Sequence, residues 1–226
     1  MSTLEKIKGG LIVSCQALPD EPMYSSFIMG RFARAAASGG AVGIRANTKE
    51  DIAEIKKNVS LPIIGIVKRD YPGSEVYITP TMTEVRELME AGVEIIATDA
   101  TVRTRPNGES LAEFVKCVRV EFDGLLMADC STYEEARTAV ELGFDIISTT
   151  MRGYTEYTAG TEIPDYELVR RLVRDFPDTA VIAEGGIKTP DQLRALMDEG
   201  ILCAVVGGAI TRPLGITQDF VKALDD

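Results

Sequence analysis

Two residues stand where a chain changes from apolar to polar and could move a proton. Glu184 closes the run AVIAE (180–184), immediately before Gly185-Gly186, and Lys68 closes PIIGIVK (62–68). A carboxyl at the end of an apolar run loses hydration, which raises its pKa and suits it to hold and deliver a proton. A lysine in such a setting is pushed the other way, toward the neutral amine that serves as a base or a Schiff-base nucleophile. The chain contains no histidine, so acid–base work falls to Lys, Glu, Asp, Tyr or Cys. Gln16, Arg45, Asp99 and Asp129 end other apolar runs in the same way. Singly, each reads as a solvated or salt-bridged terminus; together they form a ring of polar side chains converging on one mouth. Arg69, Asp70, Arg103 and Arg105 read as loop charges.

A second group of residues suits an anion. Gly185-Gly186 in AEGGIKTP and Gly207-Gly208 in VVGGAITRP follow consecutive apolar runs, and Arg212 comes four residues after the second pair. Glycines let backbone N–H groups approach an anion with no side chain between, and a short helix beginning near Ala209 adds its dipole. Paired glycines after the last two strands of a barrel match the recurrent phosphate site of (β/α)₈ enzymes. The alternative is that they only turn the chain tightly.

The elements that must carry these residues repeat along the chain. Eight Val- and Ile-rich runs begin at Gly10, Ala41, Pro62, Glu94, Gly124, Phe144, Ala180 and Leu202, and amphipathic segments separate them. Near-continuous hydrophobicity is what parallel strands covered on both faces require. Thr48-Lys49-Glu50-Asp51 has capping-box form, Ser131–Glu135 and Thr189–Gln192 read as helix starts, and Gly92, Gly143 and Gly200 as helix ends. The reading is one α/β domain over residues 1–226, a (β/α)₈ TIM barrel with its phosphate site after strands 7 and 8. An open doubly wound sheet is the alternative, disfavoured because no GxGxxG follows the first strand. DYPGSEVYITPT after the third run and RGYTEYTAGTEIPD after the sixth exceed a minimal turn. They are candidate substrate loops or ordinary surface insertions.

Composition narrows the partners. A net charge of −11 over 226 residues argues against nucleic acid or an anionic membrane surface, but not against a small phosphorylated ligand held by local dipoles and a cation. No apolar stretch approaches a membrane span, and MSTLEKIKGG lacks a signal-peptide core, so a cytoplasmic location is expected. Cys15, Cys117, Cys130 and Cys203 have no metal-type spacing, and three lie in apolar runs, as buried thiols would. No metal and no cofactor are expected. The oligomeric state is open, with a homodimer among the options.

At these residues the sequence resembles the N-acetylmannosamine-6-phosphate 2-epimerases of bacterial sialic acid and amino-sugar catabolism. The matching phrases run in order from Gly10 to Pro213: GLIVSCQALP, GGAVGIRAN, LPIIGIVKRDYPGSEVYITPT, LMADCST, GYT, VIAEGGI and VVGGAITRP. The resemblance implies a cofactor-free barrel enzyme that interconverts N-acetylmannosamine 6-phosphate and N-acetylglucosamine 6-phosphate at C2. It implies that Lys68 and Glu184 are the catalytic pair, that Gln16, Arg45 and Asp129 line the substrate pocket, and that Arg212 and the glycine pairs bind phosphate. The chain departs from the family pattern at Gly186, where a longer side chain is expected. It departs also at Lys188, where histidine is common, and at Met151-Arg152, where smaller or apolar residues are usual. Two other readings of the same residues are a Schiff-base aldolase acting through Lys68 on a phosphorylated keto acid or sugar, and a phosphate-binding barrel without turnover.

Overall fold

The computed structural model describes residues 1–224. Its eight strands are β1 (Leu11–Cys15), β2 (Gly43–Asn47), β3 (Ile63–Ile66), β4 (Ile95–Asp99), β5 (Leu125–Asp129), β6 (Ile146–Ser148), β7 (Ala180–Glu184) and β8 (Cys203–Val206). Each pairs in parallel with the next and β8 with β1, so the sheet is a closed barrel. A short α1 (Thr3–Ile7) precedes β1. The helices between strands are α2 (Ser26–Ser38), α3 (Lys49–Asn58), α4 (Met82–Ala91), α5 (Leu111–Glu121), α6 (Tyr133–Glu141), α7 (Tyr166–Asp175) and α8 (Pro190–Asp198). The short α9 (Gly208–Thr211) and α10 (Pro213–Lys222) follow β8. The (β/α)₈ expectation is met by one closed barrel.

Alternation along the strands divides the core in two. One buried cluster fills the barrel with Ile12, Ile64, Ile95, Met127, Ile146, Ile182 and Val205, and Ile7 of α1 joins it. The other lies between the sheet and the helices and takes the intervening residues, such as Val13, Ile44, Ile63, Ile96, Ile147 and Val181. Because successive side chains on a strand face opposite sides, whatever continues the inward series past the strand end must look into the barrel mouth. In β1 that series is Ile12, Ser14, Gln16. In β3 it is Ile64, Ile66, Lys68; in β6, Ile146, Ser148, Thr150; and in β7, Ile182, Glu184.

The local signals hold with one difference. Gly92, Gly143 and Gly200 have φ of 67°, 84° and 90° and carry the chain out of α4, α6 and α8. Thr132 and Thr189 make complete capping boxes with Glu135 and Gln192. Thr48 makes half of one: its hydroxyl accepts from the Asp51 amide, but Asp51 takes the Ser26 hydroxyl at 2.6 Å, and the Thr48 amide donates to the Ile66 carbonyl. Barrel pairing outcompetes the reciprocal cap there.

Candidate active site

A cavity of about 200 Å³ opens at the C-terminal ends of the strands. Gln16, Arg45, Lys68, Glu184, Gly185, Gly186, Gly207, Gly208 and Arg212 all line it. Asp129 does not: it is fully buried beneath Arg45, with which it forms a bidentate pair of 2.6 and 3.1 Å. It meets the cavity lining through that guanidinium and through the Thr150 hydroxyl at 2.7 Å. Asp99 is likewise buried and is capped by Arg103 and by the Thr101 hydroxyl at 2.7 Å.

Three charges meet at the cavity floor. Arg45 reaches Glu184 at 3.0 Å while holding Asp129, so one guanidinium serves two carboxylates. Burial alone would weaken the Arg45 cation, but Asp129 and Glu184 hold its pKa above the ordinary value. Glu184 is raised to about 7, first by burial and then by the Asp129 charge, against the pull of Arg45. Lys68 lies two residues beyond β3, with its amide bonded to Asn47 Oδ1 at 2.8 Å. Its pKa is lowered by burial and by Arg45 and Arg212, with Glu184 and Glu21 opposing. A lysine pushed toward its neutral form and a carboxyl pushed toward its protonated form thus share one cavity. Divergent shifts of this kind mark acid–base pairs.

The rim is built from two glycine pairs and Arg212. Gly186 has φ +71°, and a Cβ there would lie 2.6–2.8 Å from Ile163, including 2.7 Å from its backbone carbon, so no longer residue fits in this setting. The departure at Gly186 therefore goes with the close approach of the 151–165 loop. Gly207 is the N-cap of α9, as the expected short helix requires, and Arg212 stands between α9 and α10. Arg212 pairs with Glu21 of the β1–α2 loop at 3.0 Å. Lys188 is exposed, its backbone amide bonded to Gln192, while Met151 is buried at the cavity wall and Arg152 pairs with Asp165, the N-cap of α7.

Both long loops reach the cavity. After β3 the chain folds back on itself, with Lys68 bridged to Ile78 and Thr79 N bonded to the Val67 carbonyl at 2.8 Å, which brings Tyr77 and Ile78 to the lining. After β6 the loop supplies Thr150, Met151 and Tyr154. Each loop is pinned by a buried capping-box glutamate: Glu84 holds Arg69 and Tyr71, and Glu135 holds Tyr157. Of the four loop charges only Asp70 is exposed. Arg69 also pairs with Glu87, Arg103 is buried on Asp99, and Arg105 donates to the carbonyls of Asp99 and Pro80 while stacking 4.0 Å over Phe114.

Thr150, Tyr77, Ser14 and Thr211, which line the cavity, and Glu21, which pairs with Arg212, are among the residues that sequence reasoning missed. Thr150 was within reach, because the period-2 series of β6 continues through it. Tyr77 and Glu21 sit on loops whose fold-back has no periodic signal. Three of the four thiols are poor nucleophiles: Cys15 and Cys203 are buried and pushed up to about 12 by burial, and burial also holds Cys130 well above the ordinary thiol value. The exposed Cys117 lies on α5, outside the cavity lining. No group of three or more His, Cys, Asp or Glu side chains gathers in metal-binding geometry among the described residues.

A closed parallel barrel with a lysine–carboxyl pair and a glycine-rich, arginine-flanked rim at its C-terminal face defines the class of phosphate-binding (β/α)₈ enzymes. Residues 29–226 match the family described as "Putative N-acetylmannosamine-6-phosphate epimerase". The chain belongs to that family. Relatives described as "Putative N-acetylmannosamine-6-phosphate 2-epimerase" include one from Clostridioides difficile, 55% identical over 222 residues (98% of this chain and 99% of the relative). One from Shouchella clausii is 57% identical over 226 residues, covering 99% of each. The solved structure of the N-acetylmannosamine-6-phosphate 2-epimerase from Clostridium perfringens superposes with a TM-score of 0.94 at 52% identity, over 99% of this chain and 96% of that one.

Proposed function

We propose that this chain interconverts N-acetylmannosamine 6-phosphate and N-acetylglucosamine 6-phosphate by moving the C2 proton, in amino-sugar catabolism. The observation that carries the reading is the convergence of Lys68, Glu184 and the phosphate-type rim on one cavity. In the ring-opened sugar, C2 lies beside the C1 aldehyde, so loss of its proton yields a delocalised enolate and no redox step is needed. Neutral Lys68 takes the proton from one face and protonated Glu184 returns one to the other; the reverse direction exchanges their roles. Arg45 places fixed positive charge at the floor where the enolate oxygen develops. Gln16 donates Nε2 to Ser14 Oγ at 2.7 Å, and its Oε1 is buried without a partner. That oxygen is assigned to a substrate N–H or O–H, because an unpaired buried acceptor is costly.

Phosphate is held by Arg212 and the amides around Gly185–Gly186 and Gly207–Gly208, remote from C2, so its binding energy orients the sugar. Arg212→Ala is expected to raise KM for N-acetylmannosamine 6-phosphate about 10- to 100-fold, the value of a charge-assisted hydrogen bond. Any turnover of unphosphorylated N-acetylmannosamine should be unchanged by the same substitution. Equal losses on both sugars in an NMR assay would remove Arg212 from the phosphate site. No turnover of either sugar by the native chain would defeat the epimerase reading itself.

The chain is assigned to the cytoplasm, since doubly charged sugar phosphates do not cross bilayers unaided. No helix among the described residues is long and apolar enough to cross a membrane. Its acidity disfavours nucleic acid. A homodimer is proposed from α10, which buries none of its residues and leaves Leu214, Phe220 and Val221 more than half exposed. Light scattering should give twice the chain mass for the native protein and the single-chain mass for Phe220→Glu; a native monomer would end that assignment.

A further inference from the structure

Thr150 Oγ1 lies 2.7 Å from Asp129 Oδ1, 2.7 Å from Ser148 Oγ and 3.2 Å from Glu184 Oε2. A hydroxyl has one proton to give and two lone pairs to receive with. Asp129 is fully buried, takes both terminal nitrogens of Arg45 and sits at the shorter distance, so it is the carboxylate to which Thr150 donates. Ser148 Oγ already faces the Thr150 amide at 3.3 Å as an acceptor, which leaves its own proton for Thr150 Oγ1. Read with Thr150 as donor, the 3.2 Å contact would share with Glu184 a proton already given to Asp129 and would hold the Glu184 carboxyl down. With that proton committed to Asp129, the contact is a full hydrogen bond only if Glu184 carries a proton and donates it. With Glu184 ionised, two oxygens would meet with no hydrogen between them.

We propose that Thr150 is a positioning residue that assigns the shared proton to Glu184 and the negative charge to Asp129. It does so by donating to one carboxylate and accepting from the other. The Arg45 guanidinium, 3.0 Å from Glu184 and 2.6 Å from Asp129, neutralises one of the two, and the threonine decides which. The other titratable groups facing Glu184 are Lys68 from the end of β3, which opposes its neutral form, and the Cys203 thiol of β8, which burial keeps uncharged. A Thr150 hydroxyl donated to Glu184 instead would hold that carboxyl down, so the two arrangements predict opposite effects of removing it.

The inference rests on the proposed epimerisation for its meaning but not for its measurement. Following the Glu184 carboxyl carbon by NMR, with the signal assigned through Glu184→Gln, needs no substrate. Thr150→Val is expected to lower the Glu184 midpoint by about half to one pH unit, the size of one lost neutral hydrogen bond. In turnover, kcat/KM of the native enzyme should fall on the acid side near the Glu184 midpoint, where the pair takes up a second proton. The valine variant should move that limb downward by the same amount. Thr150→Ser, which keeps the hydroxyl, should restore both. A midpoint that rises in Thr150→Val, or that does not move, overturns the assignment. So does a valine variant that loses activity uniformly across pH with an unmoved carboxyl signal, since that marks a packing role only. If the carboxyl moves as expected but neither sugar phosphate is turned over by the native chain, the proton assignment stands and the epimerase reading fails.

Discussion

Lys68→Ala is expected to lower kcat for epimerisation about 10³-fold, within the range attributed to a positioned general base, while KM for the sugar phosphate changes little. The split follows from the geometry. Lys68 lies on the inward series of β3 and lines the cavity beside Arg45 and Glu184, whereas the anion rim is built from the β7 and β8 loops. Lys68 forms no ion pair among the described residues, and its lowered pKa means that its charge is not what holds the barrel together. The alanine variant should therefore fold, and its melting temperature should stay close to that of the native chain. Lys68→Arg should be nearly as inactive, because a guanidinium does not give up its proton near neutrality. The decisive measurement is exchange of the C2 hydrogen with D₂O, read by proton NMR for each epimer. Exchange at the native rate in Lys68→Ala of the epimer whose C2 hydrogen faces Lys68 would take the base role away from Lys68; the epimer facing Glu184 should keep exchanging. Borohydride added during turnover should leave Lys68 unmodified; trapped substrate would favour the Schiff-base aldolase instead.

Glu184→Gln should have a comparable effect on epimerisation, about 10³-fold, but with a different isotopic signature. Glutamine keeps the shape and the contact to Arg45 but cannot exchange a proton with carbon. Lys68 remains, so the epimer whose C2 hydrogen faces Lys68 should still take up deuterium without inversion, and the other epimer should not. Loss of exchange from both epimers would contradict a two-sided mechanism. The variant also tests the charge sharing at the cavity floor. In the folded chain the Glu184 carboxyl is raised to about 7 from an ordinary 4.5. The folded state therefore holds a proton that the unfolded chain has already lost, and native stability falls as pH rises from about 4.5 to about 7. Glutamine mimics the protonated side chain throughout. Thermal unfolding should show the two proteins alike near pH 4.5. The variant should be the more stable above pH 8, by an amount on the order of 3 kcal/mol. Equal stability at both pH values would mean that Glu184 is not held protonated.

Much of this site is readable along the chain because its logic is local. Alternation in a strand needs only neighbouring residues, so Lys68, Arg45, Gln16 and Glu184 can be placed at the mouth from Val- and Ile-rich runs alone. The glycine pairs are readable for the same reason: they state what the backbone must do at one point. Arg103 and Arg105 show the limit. As charges in a polar loop they look solvated, yet the fold buries both, one on Asp99 and one on carbonyls and the Phe114 ring.

Sequence by itself determined the eight-stranded barrel and the face to which its strand-end polar residues and glycine pairs belong. Period and capping fix these, and in a chain without histidine they leave Lys68 and Glu184 as the proposed pair that moves the proton. Tertiary structure decided depth and partnership. Residues facing the same way differ in how far up the barrel they stand, and that depends on the register of strands far apart in sequence. The pairing Asp99↔Asp129↔Ser148 puts Asp129 below the cavity, within reach of Arg45 and Thr150. Closure of β8 on β1 lets Thr211 donate to the Ser14 carbonyl and brings Arg212 to Glu21. Which carboxyl keeps the proton follows from those distances, since interactions between charges depend on separation and burial, and neither is a property of the residue alone.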